Sequence, residues 1–245
     1  MSTSTTAESR HGPPSKVLVI AAHPDDVELC CAGTMARLAH AGHEVVLVHM
    51  TYGDKGGKDA PEVLARTRHD EATESASLIG ASVDGRFCGD LELYPDEETI
   101  DRLGTLWRAH APDVVFTHRP DDYHPDHRIT GELALAAGAA VAPDTPIWFM
   151  DTVGAVEFAP TEVVDIAQTL ELKVQMLECH RSQMTWMSAA RHAHMPYMVR
   201  TAAGWRGLQA GIGLAEGFQP ATPGVSWPFA DVPSVPMKRV EEEVK

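Results

Sequence analysis

Two hydrophobic patterns alternate along most of this chain. Continuous apolar runs rich in β-branched residues predict strands that are covered on both faces. They lie at residues 17–22, 43–50, 112–117, 147–150 and 162–166. Segments with apolar residues at helical spacing predict helices. They lie at residues 25–41, 61–79, 95–110, 125–141 and 168–181. The alternation predicts a single α/β domain with a mostly parallel sheet flanked by helices.

The ends of the chain carry weaker patterns. Residues 1–14 are polar and rich in Ser and Thr, and they lack the apolar stretch of a secretory signal, so we predict a disordered tail. The segment 219–245 contains five prolines and ends in charges, which predicts a Pro-rich tail that wraps the surface or is disordered. The predicted domain therefore spans residues 15–218. Within it, residues 86–88 favour a short strand and residues 191–200 a further helix.

Composition excludes several classes of partner. The 245 residues carry a net charge of −15, which argues against non-specific binding of nucleic acid and against an anionic membrane surface. Apolar runs are far shorter than the roughly 18 residues of a membrane span. The four cysteines show no paired-ligand spacing, which suits a reducing compartment. We therefore expect a cytoplasmic protein with a small-molecule partner; the oligomeric state is open, a homo-oligomer included.

Two predicted strands end in residues that typically bind metals. The first strand runs into His23, Pro24, Asp25 and Asp26, and the strand at 112–117 is followed by His124, Pro125, Asp126 and His127. In an open α/β sheet, ligands collect at the carboxyl ends of the strands. A catalytic zinc takes three ligands from His and Asp or Glu and leaves one position for water. Adjacent aspartates cannot easily both bind one ion, so one carboxylate stays available to accept a proton.

Structural explanations compete with this interpretation. A histidine at a strand end is often only hydrogen-bonded, and an aspartate in a first helical turn is usually a cap. Two such clusters in one α/β chain favour the metal site. The segment 51–58 is a glycine-rich loop that lacks the order of a phosphate-binding loop, so we predict a wall of the site. Trp186, Tyr197 and Trp205 could line an apolar pocket or pack in the core.

These motifs together resemble the PIG-L/LmbE family of zinc-dependent N-deacetylases. The resemblance runs in order over residues 16–185, although Cys30, Cys31 and Ala32 stand where family members commonly carry glycine-rich residues. The matching segments are Ala22–Glu28 with Gly33–Leu38, Thr51–Gly57, Arg68–Glu71 with Leu78–Gly80, His124–His127, and Lys173–Gln183. Residues 186–245 match no family segment.

The resemblance implies a Rossmann-like sheet and hydrolysis of an N-acetyl group on an amino sugar. It also implies a role for each matched residue. His23, Asp26 and His127 would hold zinc. Asp25 would be the general base, and His124 would stabilise the oxyanion or protonate the leaving amine. Asp126 would orient a neighbouring histidine, Arg68 would bind a polar substrate group, and His180 and Ser182 would brace the site. Ferrous iron would also accept two histidines and one carboxylate.

Other functions stay open. The nearest is an amidase of the same family that cleaves a larger acyl group or a thiol conjugate. From another class, the chain could be a sugar-binding protein without turnover, although such a protein has no need of Asp25. A phosphoryl-transfer enzyme is disfavoured, because a second metal site and a basic phosphate clamp are not evident.

Overall fold

We describe the fold from a computed structural model, which describes residues 15–222, 224–229 and 237–240, the side chain of Arg191 excepted. In chain order, the elements are β1 (Lys16–Ala21), α1 (Asp26–Cys30), α2 (Ala32–His40), β2 (Glu44–His49), α3 (Pro61–Ser77), β3 (Ser82–Asp84), α4 (Glu97–His110), β4 (Val114–Thr117), α5 (Pro125–Val141), β5 (Ile147–Met150), a 3-10 turn (Val153–Ala155), β6 (Glu162–Asp165), α6 (Leu170–Glu178), α7 (Arg181–Arg191), α8 (Met195–Gln209), β7 (Ala215–Pro220) and β8 (Met237–Arg239).

These strands form one sheet in the described part of the chain, in the order β3-β2-β1-β4-β5-β7-β6-β8. The pairs from β3 to β5 are parallel, and β7, β6 and β8 add an antiparallel edge. The predicted α/β class with a mostly parallel sheet is confirmed. No described helix has both the length and the apolar composition that a membrane span needs.

The parallel pairing of β1 with β4 positions the two predicted clusters. Ile20 lies opposite Thr117, so the segments after both strands leave the same edge of the sheet side by side. The next strand, β2, pairs with the other side of β1 and places the glycine-rich loop at the same edge. The order of strands therefore converts a separation of about a hundred residues into a shared crevice.

Both faces of the sheet are buried. Val17, Val19 and Ala21 of β1 pack into the larger core cluster, which contains α1 and α2. Leu18 and Ile20 face the opposite cluster, beneath α4 and α5. This period of two on a continuous apolar strand is what burial on both faces requires.

The helix predicted over residues 25–41 is two helices, α1 and α2, separated at Cys31. The cause is a buried carboxylate: Glu216 of β7 accepts hydrogen bonds from the backbone N–H of Gly33 at 2.9 Å and of Thr34 at 2.7 Å. Lys173 balances its charge at 2.6 Å. A side chain that caps α2 from another strand leaves no local sequence signal, so the single predicted helix was wrong.

Other boundaries also differ from the sequence expectations. The predicted helices at 125–141 and 168–181 are α5, with the expected bounds, and the shorter α6. The strand expected at 86–88 is reduced to one parallel bridge between Cys88 and Thr51, and a short strand that was not expected lies at Ser82–Asp84. The helix expected at 191–200 is α8.

The predicted domain end at residue 218 differs from the structure. β7 continues to Pro220, and β8 pairs with β6. Trp227 and Phe229 are buried in the main core cluster. The expectation of a surface or disordered tail was wrong for these residues, because the proline content hid two aromatic core positions. The predicted N-terminal tail lies outside the described residues.

Candidate metal centre and its cavity

The buried carboxylate of Asp26 lies between two imidazoles. Its Oδ2 is 3.2 Å from Nδ1 of His23, and its Oδ1 is 3.3 Å from Nε2 of His127. The turn after β1 is held by the same side chain, because the backbone N–H of His23 donates to Asp26 Oδ2 at 2.7 Å. One carboxylate therefore organises the turn and contacts a nitrogen of each histidine, with one oxygen for each.

A further carboxylate lies behind each of these histidines. Asp126 Oδ2 is 3.2 Å from Nε2 of His23, and Asp122 Oδ2 is 3.2 Å from Nδ1 of His127. Carboxylates in this position commonly orient metal-binding histidines and fix their tautomers. The Asp122 side chain is 1% exposed and the His127 side chain 3%, so solvent does not compete for this contact.

The electrostatics of the cluster favour a positive charge. Burial alone would lower the pKa of His23, but Asp26 and Asp126 raise it to about 10. Burial likewise opposes the charge on His127, while Asp26 and Asp122 raise its pKa to about 9. Two histidines that are made more basic by carboxylates, His23 with a 12% exposed side chain and the buried His127, indicate a local potential that stabilises a cation. The donor set and this potential both fit a divalent metal ion.

Ligand atoms of the described residues converge in two groups, His23 with His124 and His127, and Asp26 with His118 and His127. The second group cannot supply both imidazoles. The rings of His118 and His127 are stacked, with centroids 3.9 Å apart and planes at 15°, so their in-plane lone pairs do not meet at one ion. His118 also accepts the backbone N–H of Ala22 at 3.1 Å. By contrast, the ring planes of His23 and His127 are tilted by 56°.

Asp25 is held by an arginine. Arg68 Nη2 lies 2.6 Å from Asp25 Oδ1, and both side chains are almost completely buried. Asp25 occupies the N-cap position of α1, yet its side chain makes no capping hydrogen bond. Arg68 also donates to the backbone oxygen of Gly53 at 3.1 Å. A Cβ at Gly53 would lie 2.6 Å from Nη1 of the guanidinium, and the φ of +70° also favours glycine there.

The glycine-rich loop is fixed by Asp90. Its carboxylate accepts hydrogen bonds from Thr51 Oγ1 at 2.7 Å, from the Gly53 N–H at 2.8 Å and from the Lys55 N–H at 3.0 Å. The predicted wall of the site is present, since Lys55 and Gly56 line the cavity beside the metal cluster.

A second layer of polar residues lies behind the cavity. Ser75 donates to Glu28 at 2.5 Å, and His180 Nε2 lies 3.3 Å from the other Glu28 oxygen. Ser182 donates to Glu71 at 2.6 Å. Burial alone would lower the pKa of His180, but the Glu28 carboxylate raises it above its ordinary value. His180 and Ser182 thus tie the start of α7 to α1 and α3.

The seven residues that were predicted to act on the metal or the substrate line one cavity of about 620 Å³. They are His23, Asp25, Asp26, Arg68, His124, Asp126 and His127. Sequence reasoning missed His118 and Asp122. Both lie in the segment between β4 and α5, and Asp122 follows another aspartate, so only the fold distinguishes the buried one from its exposed neighbour Asp121.

Comparison with known proteins gives a consistent result. Residues 18–138 match the family model described as PIG-L, GlcNAc-PI de-N-acetylase. The chain is 32% identical to a diacetylchitobiose deacetylase of Thermococcus kodakarensis, over 89% of this chain and 88% of that protein. It is 26% identical to a 4-oxalmesaconate hydratase of Pseudomonas putida, over 70% of this chain and 75% of that protein.

A solved structure agrees with these sequence matches. The N,N'-diacetylchitobiose deacetylase of Pyrococcus horikoshii, complexed with its inhibitor MPG, superimposes with a TM-score of 0.72 at 32% identity. The match covers 89% of this chain and 88% of that one. The similarity therefore extends well beyond the segment that the family model matches.

Proposed function

The chain belongs to the PIG-L family, and from this premise we propose that it hydrolyses the N-acetyl group of an amino sugar or amino sugar conjugate, using a bound metal ion. The observation that carries the proposal is the pair of histidines around the Asp26 carboxylate, with Asp25 left beside it. The match to a diacetylchitobiose deacetylase over most of both chains supports the substrate class.

We assign the metal ligands to His23, Asp26 and His127. Two imidazoles and one carboxylate are a common catalytic zinc set, and ferrous iron accepts the same ligands. Zinc is the simpler assignment, because the proposed reaction involves no change of oxidation state. Asp126 would orient His23, because its Oδ2 lies 3.2 Å from Nε2, the ring nitrogen of His23 that does not face Asp26.

When bound, the metal would polarise the amide carbonyl and lower the pKa of a water molecule toward ~7. Asp25 would accept the proton of this water, because its carboxylate is next to Asp26 and is not used as a helix cap. The Arg68 guanidinium, 2.6 Å from Asp25, would keep the carboxylate in place. Arg68 lines the cavity as well, so it would also contact a polar group of the substrate.

His124 is suited to donate a proton toward the substrate. Its Nδ1 accepts the backbone N–H of Asp126 at 3.3 Å, which places the ring proton of the neutral imidazole on Nε2. In the metal-free protein, burial and the positive charges of His23 and His127 lower the pKa of His124; a metal ion bound by those two histidines would act in the same direction and favour the neutral form. The Nε2–H would stabilise negative charge on the carbonyl oxygen or protonate the leaving amine.

Two variants test these assignments. Asp25→Asn keeps the size of the side chain and should retain the metal while amine release falls by about 10² to 10⁴. His127→Ala should lose the metal. Metal analysis and amine release from N-acetylglucosamine and diacetylchitobiose measure both, and thermal unfolding checks that the variants fold. Normal turnover in Asp25→Asn would end the base assignment.

The same assays separate the alternatives. An amidase for larger acyl groups or thiol conjugates would release amine from those substrates and not from the acetylated sugars. A hydratase, as the Pseudomonas putida relative is named, would add water to 4-oxalmesaconate and release no amine. A sugar-binding protein would bind the sugar without turnover in the metal-loaded state. Any of these outcomes would replace the proposed function.

The remaining expectations concern the setting of the enzyme. The net charge of −15 supports a small-molecule substrate rather than nucleic acid or an anionic membrane. A cytoplasmic location is supported by four cysteines that are all free thiols.

A further inference from the structure

One part of the cavity is apolar and has no role in the proposed chemistry. We call it the apolar wall. It consists of Leu29, Leu91, Tyr123, Val153, Trp186, Met187 and Met195. The cavity volume of about 620 Å³ lies within the ~300–1,000 Å³ typical of sites that bind drug-sized ligands. The wall raises the question of which substrate group it contacts.

The inner part of the wall is firmly supported. Met195 belongs to a small core cluster formed by α6 and α8, and Leu29 and Met187 pack against that cluster. These side chains therefore present one face to the core and another to the cavity. Methionine side chains adapt their shape to an apolar ligand at little cost, so this part suits a flexible apolar group.

The outer part of the wall is exposed. Leu91 is 58% exposed and Tyr123 46%, although both residues border the cavity. The Tyr123 ring lies 6.4 Å from the ring of the ligand candidate His127. Its hydroxyl donates to the backbone oxygen of Val153 at 3.4 Å, which joins two members of the wall.

A leucine at position 91 has an unfavourable backbone conformation and an exposed apolar side chain, unless that side chain contacts a ligand. Its φ is +61°, a left-handed conformation that is strained for a residue other than glycine. The conformation is needed because its backbone N–H donates to Asp126 at 3.0 Å. Glycine or asparagine would supply that N–H more cheaply. The leucine side chain makes little contact with the core, so neither backbone geometry nor packing accounts for it.

We propose that the substrate is an N-acylated amino sugar that carries an apolar group, and that the apolar wall binds this group. The inference rests on the proposed function and adds the substrate class. The same chemistry could come from the aglycone of the sugar or from a longer acyl chain. In either case the apolar group would lie against Leu91 and Trp186 while the amide lies at the metal ligands.

Two substrate pairs test the inference in the metal-loaded enzyme. The aglycone arm compares octyl with methyl N-acetylglucosaminide, and the acyl arm compares N-octanoylglucosamine with N-acetylglucosamine. We expect kcat/KM to favour the octyl or octanoyl member of one pair by about tenfold or more, the effect of burying roughly two methylene groups. The preference should appear mainly in KM, because the wall is remote from the reacting bond.

Matched variants assign the preference to the wall. Trp186→Ala and Leu91→Asn should abolish most of it, and asparagine tolerates the left-handed backbone. The controls are Trp205→Ala and Leu208→Asn, which change residues that are 50% and 71% exposed and do not line this cavity. Both controls should keep the preference of the wild type.

The outcomes distinguish the inference from the proposed function. Turnover of the acetylated sugars with equal kcat/KM within both pairs would overturn the inference and leave the function standing. No amine release from any of the three acetylated compounds would overturn the function. In that case, calorimetric titration with all four compounds still tests the wall, because binding needs no turnover. Equal affinity within both pairs would reject the inference.

Discussion

The contact between Asp122 and His127 makes a sharp prediction about metal affinity. Asp122 Oδ1 accepts the backbone N–H of His124 at 2.8 Å, and the amide oxygen of Asp122→Asn can accept the same hydrogen bond. The turn before α5 should therefore be unchanged. The changed atom is the one 3.2 Å from His127 Nδ1. An amide NH₂ there opposes an N–H on Nδ1 and favours the tautomer with its proton on Nε2. That nitrogen faces Asp26 and is the proposed metal ligand.

The size of the effect follows from burial. Loss of a carboxylate behind a metal-binding histidine typically costs about 10–100-fold in affinity, or ~1.4–2.8 kcal/mol. We expect the upper end, because the Asp122 and His127 side chains are only 1% and 3% exposed and water cannot replace the carboxylate. The neighbouring Asp121 side chain is 65% exposed, so Asp121→Asn should leave the affinity unchanged.

Competition with a chromogenic zinc chelator measures the affinity of both variants and of the wild type. Thermal unfolding of the metal-free proteins shows whether the fold itself is weakened. The explanation fails if Asp122→Asn binds zinc as tightly as Asp121→Asn. It also fails if both variants lose affinity equally, because exposed charge would then be the cause.

Two further predictions concern stability. A Cβ at Gly131 would lie 2.5 Å from the backbone oxygen of His118, so Gly131→Ala should lower the free energy of unfolding in urea by about 1–3 kcal/mol. A Cβ at Gly204 would meet no atom within 4 Å, so Gly204→Ala should be neutral or stabilising. Equal effects of the two would refute the argument. Because Glu28 raises the pKa of His180 against burial, this pair stabilises the fold fully below the unfolded pKa of 6.5 and loses its contribution as the pH rises through the folded pKa. The difference in unfolding free energy between wild type and His180→Gln, measured metal-free, should therefore shrink between neutral and alkaline pH; a constant difference would contradict the assignment.

The parallel half of the fold was predictable because its signals are local. Its strands are continuous apolar runs, and α5 begins at Pro125, a residue that suits a first helical turn, under a histidine cap. The antiparallel edge was not predictable in the same way. β7 has the sequence AEGFQP, with no alternation or apolar run, and it is a strand only because β5 and β6 pair with it.

The candidate site shows the same division. The two clusters that contain His23, Asp26 and His127 were identified because each follows a strand and consists of metal-binding residue types. The resemblance to the family then selected these three as the ligands. Asp122 and His118 could not be identified from the sequence, because their contacts depend on which ring nitrogen or carboxylate oxygen faces which neighbour in the fold. The role of Glu216 is equally hidden, since it is a single acidic residue whose partners lie 182 and 183 positions earlier in the chain.

The packing of Trp227 also bears on how the protein is made. Its ring lies 4.9 Å from Trp148 and 5.9 Å from Phe116, between strands that are synthesised far earlier. Removing a buried aromatic of this kind costs about 3–5 kcal/mol, a large share of the ~5–15 kcal/mol that stabilises a typical domain. The metal ligands therefore leave the ribosome long before the core that supports them can close. During that interval the nascent chain would expose an apolar sheet face, and fragments that end at residue 218 should aggregate rather than fold.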